Sequence, residues 1–129
     1  MTSRKNKKNV WINRCKPEDI NLLAPDAPIE YGYVLIIEYE DKRIFIASSK
    51  CPTRYVNSLQ RLANKMMAKA ATNIRISPLV RRVEMVKGNL IKKLKDYKIE
   101  QNPSYYLVDE SVLKKKISET FAMTTFYTA

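Results

Sequence analysis

Histidine is absent from this chain, and glycine and cysteine occur only twice each in 129 residues. Without histidine, the Ser–His and Cys–His pairs that activate a hydroxyl or thiol nucleophile cannot be built from this chain alone. Two thiols, Cys15 and Cys51, cannot complete the four-ligand shell of a structural zinc site. Their plain reading is a pair of free thiols in a reducing compartment, with no disulfide demanded between them. Two glycines are too few for a Gly-rich loop that cradles phosphate. No apolar run approaches the roughly 18 residues of a membrane span. The basic start "MTSRKNKKNVWINRCK" has no apolar stretch behind it, so no secretory leader is expected. These absences point to an intracellular protein, cytoplasmic or nuclear in its host cell, with no membrane partner.

Carboxylates are also scarce: 13 Asp and Glu stand against 24 Lys and Arg, a net charge of +11. Such a balance calls for an anionic partner, and nucleic acid, with DNA the expected form, is the first candidate. Each phosphate neutralised by Lys or Arg releases a counterion, so this binding should weaken steeply with salt. An apolar share of 45% with 29% charged residues is a globular composition, and the length suits one domain.

Residues 1–16 hold Arg4, Lys5, Lys7, Lys8, Arg14 and Lys16 and no carboxylate, which reads as a flexible basic arm carrying Trp11. Residues 17–30 are a Pro-rich connection that Leu22 and Leu23 would pin to the core. The run "YGYVLIIEY" (31–39) is apolar on both alternating faces, as a central strand is. Glu40, Asp41 and Lys42 form a turn, and "RIFIA" (43–47) returns antiparallel. Pro52 suits the first turn of a helix whose apolar positions run from Val56 through Leu59, Leu62, Met66 and Met67 to Ala70, with the methionines as core filler. "NIRIS" (73–77) is a short strand. Ser77-Pro78 then reads as the cap and first turn of a helix reaching Tyr97, with Leu79, Val80, Val83, Val86, Leu90 and Leu94 inside. Gly88 within it marks close packing or a local weakness. Arg81, Arg82, Lys87 and Lys92 lie on its polar side. "SYYLV" (104–108) is strand-like, and Asp109 caps a last helix that buries Val112, Leu113, Ile117 and Phe121. The order β-β-α-β-α-β-α implies an α+β fold: a small, mostly antiparallel sheet flanked by helices over 31–121, with a tail at 122–129.

This order resembles the GIY-YIG endonuclease superfamily, particularly its branch in bacteriophages and large DNA viruses. Phe45-Ile46-Ala47 stands at the second triplet of that signature. Gly32-Tyr33-Val34 or Tyr31-Gly32-Tyr33 stands at the first, with ten or eleven residues between. "SSKCPTRYVNSL" is similar to the family's small-and-basic segment leading into an arginine-bearing helix. "KGNLIKKLKDYKI" (87–99) is similar to its second helix, and "PSYYLVDESVLKKKI" to the phage-type ending.

The resemblance implies phosphodiester cleavage with a tyrosine near the attacking water, an arginine on the phosphate and one Mg²⁺ or Mn²⁺ ion held by a glutamate. The metal and the arginine offset charge developing on the reacting phosphate. Several of these positions depart from the pattern. The first tyrosine is Val34 in one register and Tyr33 in the other, and the second is Phe45. Arg54 stands one residue early, Ile91 replaces a histidine found in many phage-type members, and Lys87 occupies the glutamate position. Lysine there repels a divalent cation, and Glu84, one turn earlier, is the nearest substitute.

Three expectations follow. The first is a catalytically inactive domain gripping nucleic acid with Arg54, Arg81, Arg82, Lys87 and Lys92, with no cofactor. The second is an active endonuclease using Tyr33, Arg54 and Glu84, with Glu84 on the metal. The third is a viral protein-interaction module for an acidic partner. Tyr105, Tyr106 and Trp11 are candidates for stacking on bases, although core or edge packing is the first reading of the two tyrosines.

Overall fold

The structure, a computed structural model, describes residues 13–122. Its elements run β1 (Asn13–Cys15), a 3-10 turn (Pro17–Leu22), β2 (Tyr31–Glu38), β3 (Ile44–Ser49), α1 (Pro52–Lys65), β4 (Asn73–Ile76), β5 (Val80–Arg81) and α2 (Val83–Lys93). A second 3-10 turn (Lys95–Tyr97), β6 (Lys98–Ile99), β7 (Asn102–Tyr106) and α3 (Glu110–Phe121) complete it. The sheet order is β1-β4-β2-β3-β7-β6, with β5 also pairing to β2, and each of these pairings is antiparallel. The α+β class expected from the pattern is therefore the class observed. The extra strands β1, β5 and β6 are two or three residues long, too short to register as a pattern.

β2 lies at the centre, and its β-branched and aromatic residues suit a pleated surface covered on both sides. Alternation divides them between two cores. Val34 and Ile36 join Val83, Val86 and Leu90 of α2 and Leu113 and Ile117 of α3 on one face. Tyr33, Leu35 and Ile37 join Val56 of α1 and Ile20 and Ala24 of the N-terminal segment on the other. Burying each such aliphatic side chain contributes about 1.5–3 kcal/mol, so β2 anchors both layers. Gly32 has a specific task here. A Cβ at that position would lie 2.8 Å from Cγ1 of Val83, so glycine lets the first turn of α2 sit directly on β2.

The structure corrects several expectations. Met66 and Met67 are 69% and 94% exposed rather than core filler, and Leu62 is 54% exposed. The helix ends at Lys65 in a Schellman closure, with Met67 N–H bonded to Asn64 O and Ala68 N–H to Ala63 O. Leu22 and Leu23 face solvent, and Pro17, Ile20 and Ala24 hold the segment; the three-residue period of the turn aligns Pro17 with Ile20 and leaves Leu22 outside. Ser77 does not cap a helix. Its hydroxyl accepts the Val34 N–H at 2.9 Å and donates to Pro78 O at 2.8 Å, while Val80 and Arg81 pair with β2. The chain then reverses at Arg82, φ 53°, and α2 starts at Val83. A Cβ on Gly88 would meet nothing within 4 Å, so that site is slack rather than tight. Asp109 precedes α3 in extended conformation but makes no side-chain cap bond. The end of the basic arm is strand β1, paired to β4. Trp11, the arm residues before it and the tail from 123 lie outside the described residues.

Candidate nucleic-acid interface

The three residues suggested for catalysis are not brought together. Tyr33 is 4% exposed, packs on the α1 face, and donates its hydroxyl hydrogen to Pro25 O at 2.9 Å. Burial, and secondarily Asp26, push its pKa up, so the phenol is held in its neutral form. Arg54 stands exposed on α1. Glu84 lies on the opposite side of the sheet, where α2 packs over Val34. The two registers of the family signature thus fail in complementary ways. The residue that shares a face with Glu84 is Val34, and the residue that carries a phenol, Tyr33, faces away.

Glu84 has its own partners. Ser48, directly across from Val34 in the β2–β3 register, donates its hydroxyl to Glu84 Oε2 at 2.5 Å. Lys87 Nζ lies 3.1 Å from Glu84 Oε1, an i,i+3 pair on α2. The Ser48 hydrogen bond first, and Lys87 second, hold the Glu84 carboxyl below the usual carboxylate range. This set does not fit a divalent cation. A hard cation needs several oxygen ligands, whereas the one carboxylate here already shares its oxygens with a hydroxyl and an ammonium. Among the described residues no three His, Cys, Asp or Glu side chains group to hold a metal. Cys15 and Cys51 are free thiols.

The cations suggested for nucleic acid separate into two groups. Arg81 is paired with Glu30 at 3.0 Å, and Lys87 with Glu84. Arg54, Arg82 and Lys92 have no ion-pair partner among the described residues. Two further cations, Arg61 and Lys65, are exposed on α1 and equally unpaired. Steps of seven and four residues from Arg54 are close to whole helical turns, so Arg54, Arg61 and Lys65 fall within about 40° of one line along α1. Sequence reasoning passed over Arg61 and Lys65, yet a signal was there: no Asp or Glu occurs between Asp41 and Glu84.

Two other polar clusters are structural. On the α2/α3 face Glu38 takes Arg14 at 2.8 Å and Arg75 at 2.5 Å, and Arg75 also bonds Glu110 at the start of α3. A groove of about 920 Å³ opens beside them, walled by Ile44, Tyr97 and Leu113 among others. Its arginines are already neutralised, so it offers a phosphate little. On the α1 face the Arg43 guanidinium lies 4.4 Å from the ring centroids of both Tyr39 and Tyr105. Such stacking is worth about 0.5–2 kcal/mol per ring. Tyr106, by contrast, is buried in the other core.

No known family model matches the chain, and no curated protein or solved structure matches it either.

Proposed function

We propose that this chain is a GIY-YIG-like domain without nuclease activity that binds nucleic acid, DNA in the first instance, through its basic surface. The observation that carries the reading is the carboxylate-free run between Asp41 and Glu84, which contains ten Lys and Arg residues. Three of these, Arg54, Arg61 and Lys65, form the unpaired row on α1. A polyanion is the partner such a row accepts, because its charge is not cancelled within the fold. The loss of catalysis is supported by the placement of Tyr33 and Glu84 on opposite faces of the sheet and by the Lys87 ammonium beside Glu84.

The test is fluorescence anisotropy with a labelled DNA duplex over a salt series. Three phosphate contacts alone give roughly a 40-fold loss of affinity between about 50 and 200 mM salt. The triple variant Arg54→Gln/Arg61→Gln/Lys65→Gln should lower the salt slope by about three. Affinity that persists in about 0.5 M salt would overturn the reading. Supercoiled plasmid with Mg²⁺ or Mn²⁺ should stay intact, and nicking that disappears in Glu84→Ala would restore the endonuclease reading.

A further inference from the structure

α1 carries three basic residues each followed by an apolar one: Arg54-Tyr55, Arg61-Leu62 and Lys65-Met66. The cations form one line about 16 Å long, and their neighbours form a second line about 100° around the helix. Two members of that second line, Leu62 and Met66, are not held by the core. α1 buries Val56 and packs Leu59 on the sheet, while Leu62 and Met66 remain 54% and 69% exposed. Tyr55, half-buried, leads from this line into the aromatic cluster on the same face of the sheet. There the Tyr105 ring, also half-buried, lies 5.6 Å from the Phe45 ring and against the Arg43 guanidinium. Arg43 fixes Tyr105 in place, so little side-chain freedom remains to be lost on binding.

We infer that α1 and the adjoining aromatic cluster form a platform for single-stranded nucleic acid, with phosphates along Arg54, Arg61 and Lys65 and bases stacked on Tyr55 and Tyr105. The inference rests on the nucleic-acid reading above and narrows it to a substrate class. The occupant must carry negative charge at regular intervals and offer flat apolar faces beside it. An unpaired strand does both, whereas a duplex keeps its base faces inside. A bilayer is a poorer fit, because the apolar line is one residue wide and the residues that α1 buries, Pro52 and Val56, already face the interior.

The experiment compares three labelled probes of about twenty nucleotides, oligothymidine, an abasic strand of equal charge and a duplex, with phosphatidylserine vesicles as a separate arm. Stacking of one or two bases gives the wild-type protein roughly ten-fold or greater preference for oligothymidine over the abasic strand. That preference falls in Tyr55→Leu and Tyr105→Leu and survives in Tyr105→Phe, which keeps the ring. Equal affinity for the thymidine and abasic strands in the wild-type protein overturns the platform and leaves duplex binding standing, and this comparison needs no variant to fold. Absence of binding to all three probes, or binding only to phosphatidylserine vesicles, overturns the nucleic-acid reading and the platform with it.

Discussion

At Met67 the backbone turns left-handed, φ 54°, to close α1, and the side chain there is 94% exposed. An L-residue in that region costs about 1 kcal/mol that glycine avoids. One of the two glycines, Gly88, sits instead inside α2 with open space around it, where it is worse than alanine by about 1 kcal/mol. Met67→Gly and Gly88→Ala should therefore each raise the free energy of unfolding by up to about 1 kcal/mol, read from urea titrations. The sites are far enough apart in the fold, on opposite faces of the sheet, for their effects to add. Gly32→Ala should do the reverse, because the new methyl meets Val83. Of these three positions, only Gly88 could be weighed from sequence at all, and even there the choice between tight and slack needed the neighbours. Backbone handedness at a helix end depends on where the helix stops, and the apolar period of α1 runs past Lys65 without marking that point.

Among the elements, a side-chain ion network ties the paired strands β1, β4 and β2 to α3. Glu38 and Arg75 are 8% and 4% exposed, and removing one partner of such a buried pair leaves the other uncompensated. Glu38→Gln should cost about 3–5 kcal/mol, seen as a lower denaturation midpoint, with Arg14 released as well. Glu110 adds a pH dependence. The Arg75 hydrogen bond holds its carboxyl below the usual range, so its contribution is complete above that range and is lost as pH falls through its folded-state value. Glu110→Gln should flatten the acid limb of the stability curve. At the alkaline end the sign reverses. Burial, and next Tyr105, push Tyr39 up to about 12. Its stabilisation is therefore full below pH ~10 and is lost as pH rises toward 12; Tyr39→Phe should make stability less sensitive to pH in that window. The β2–β3 hairpin was legible because its two apolar runs and charged turn are contiguous in sequence. The Glu38–Arg75 pair was not, since it exists only once β4 has chosen its register on β2.

Across the whole molecule, the sheet separates two surfaces that each carry paired and unpaired cations. On the α2/α3 side Arg14, Arg75, Lys87 and Lys114 each have a carboxylate partner, while Arg82 and Lys92 have none among the described residues. On the α1 side Arg43 pairs with Asp41, and Arg54, Arg61 and Lys65 have no ion-pair partner among the described residues. Arg81→Gln/Lys87→Gln should accordingly change the salt slope of binding by less than one, against about three for the α1 triple variant. Net charge was readable from composition, but which cations stay unpaired was not, because cancellation depends on which carboxylate folding places beside which cation.

β1 has a consequence for how this chain tolerates trimming. With Asn13–Cys15 laid along β4 and Arg14 on Glu38, the apolar strand β4 has no bare rim on that side. Cleavage after Lys16 would strip the selvage from the fabric, leaving a fresh hem of backbone donors and acceptors open to a second copy. Chains starting at Pro17 should clump in concentration-dependent light scattering, while chains starting at Asn13 stay dispersed.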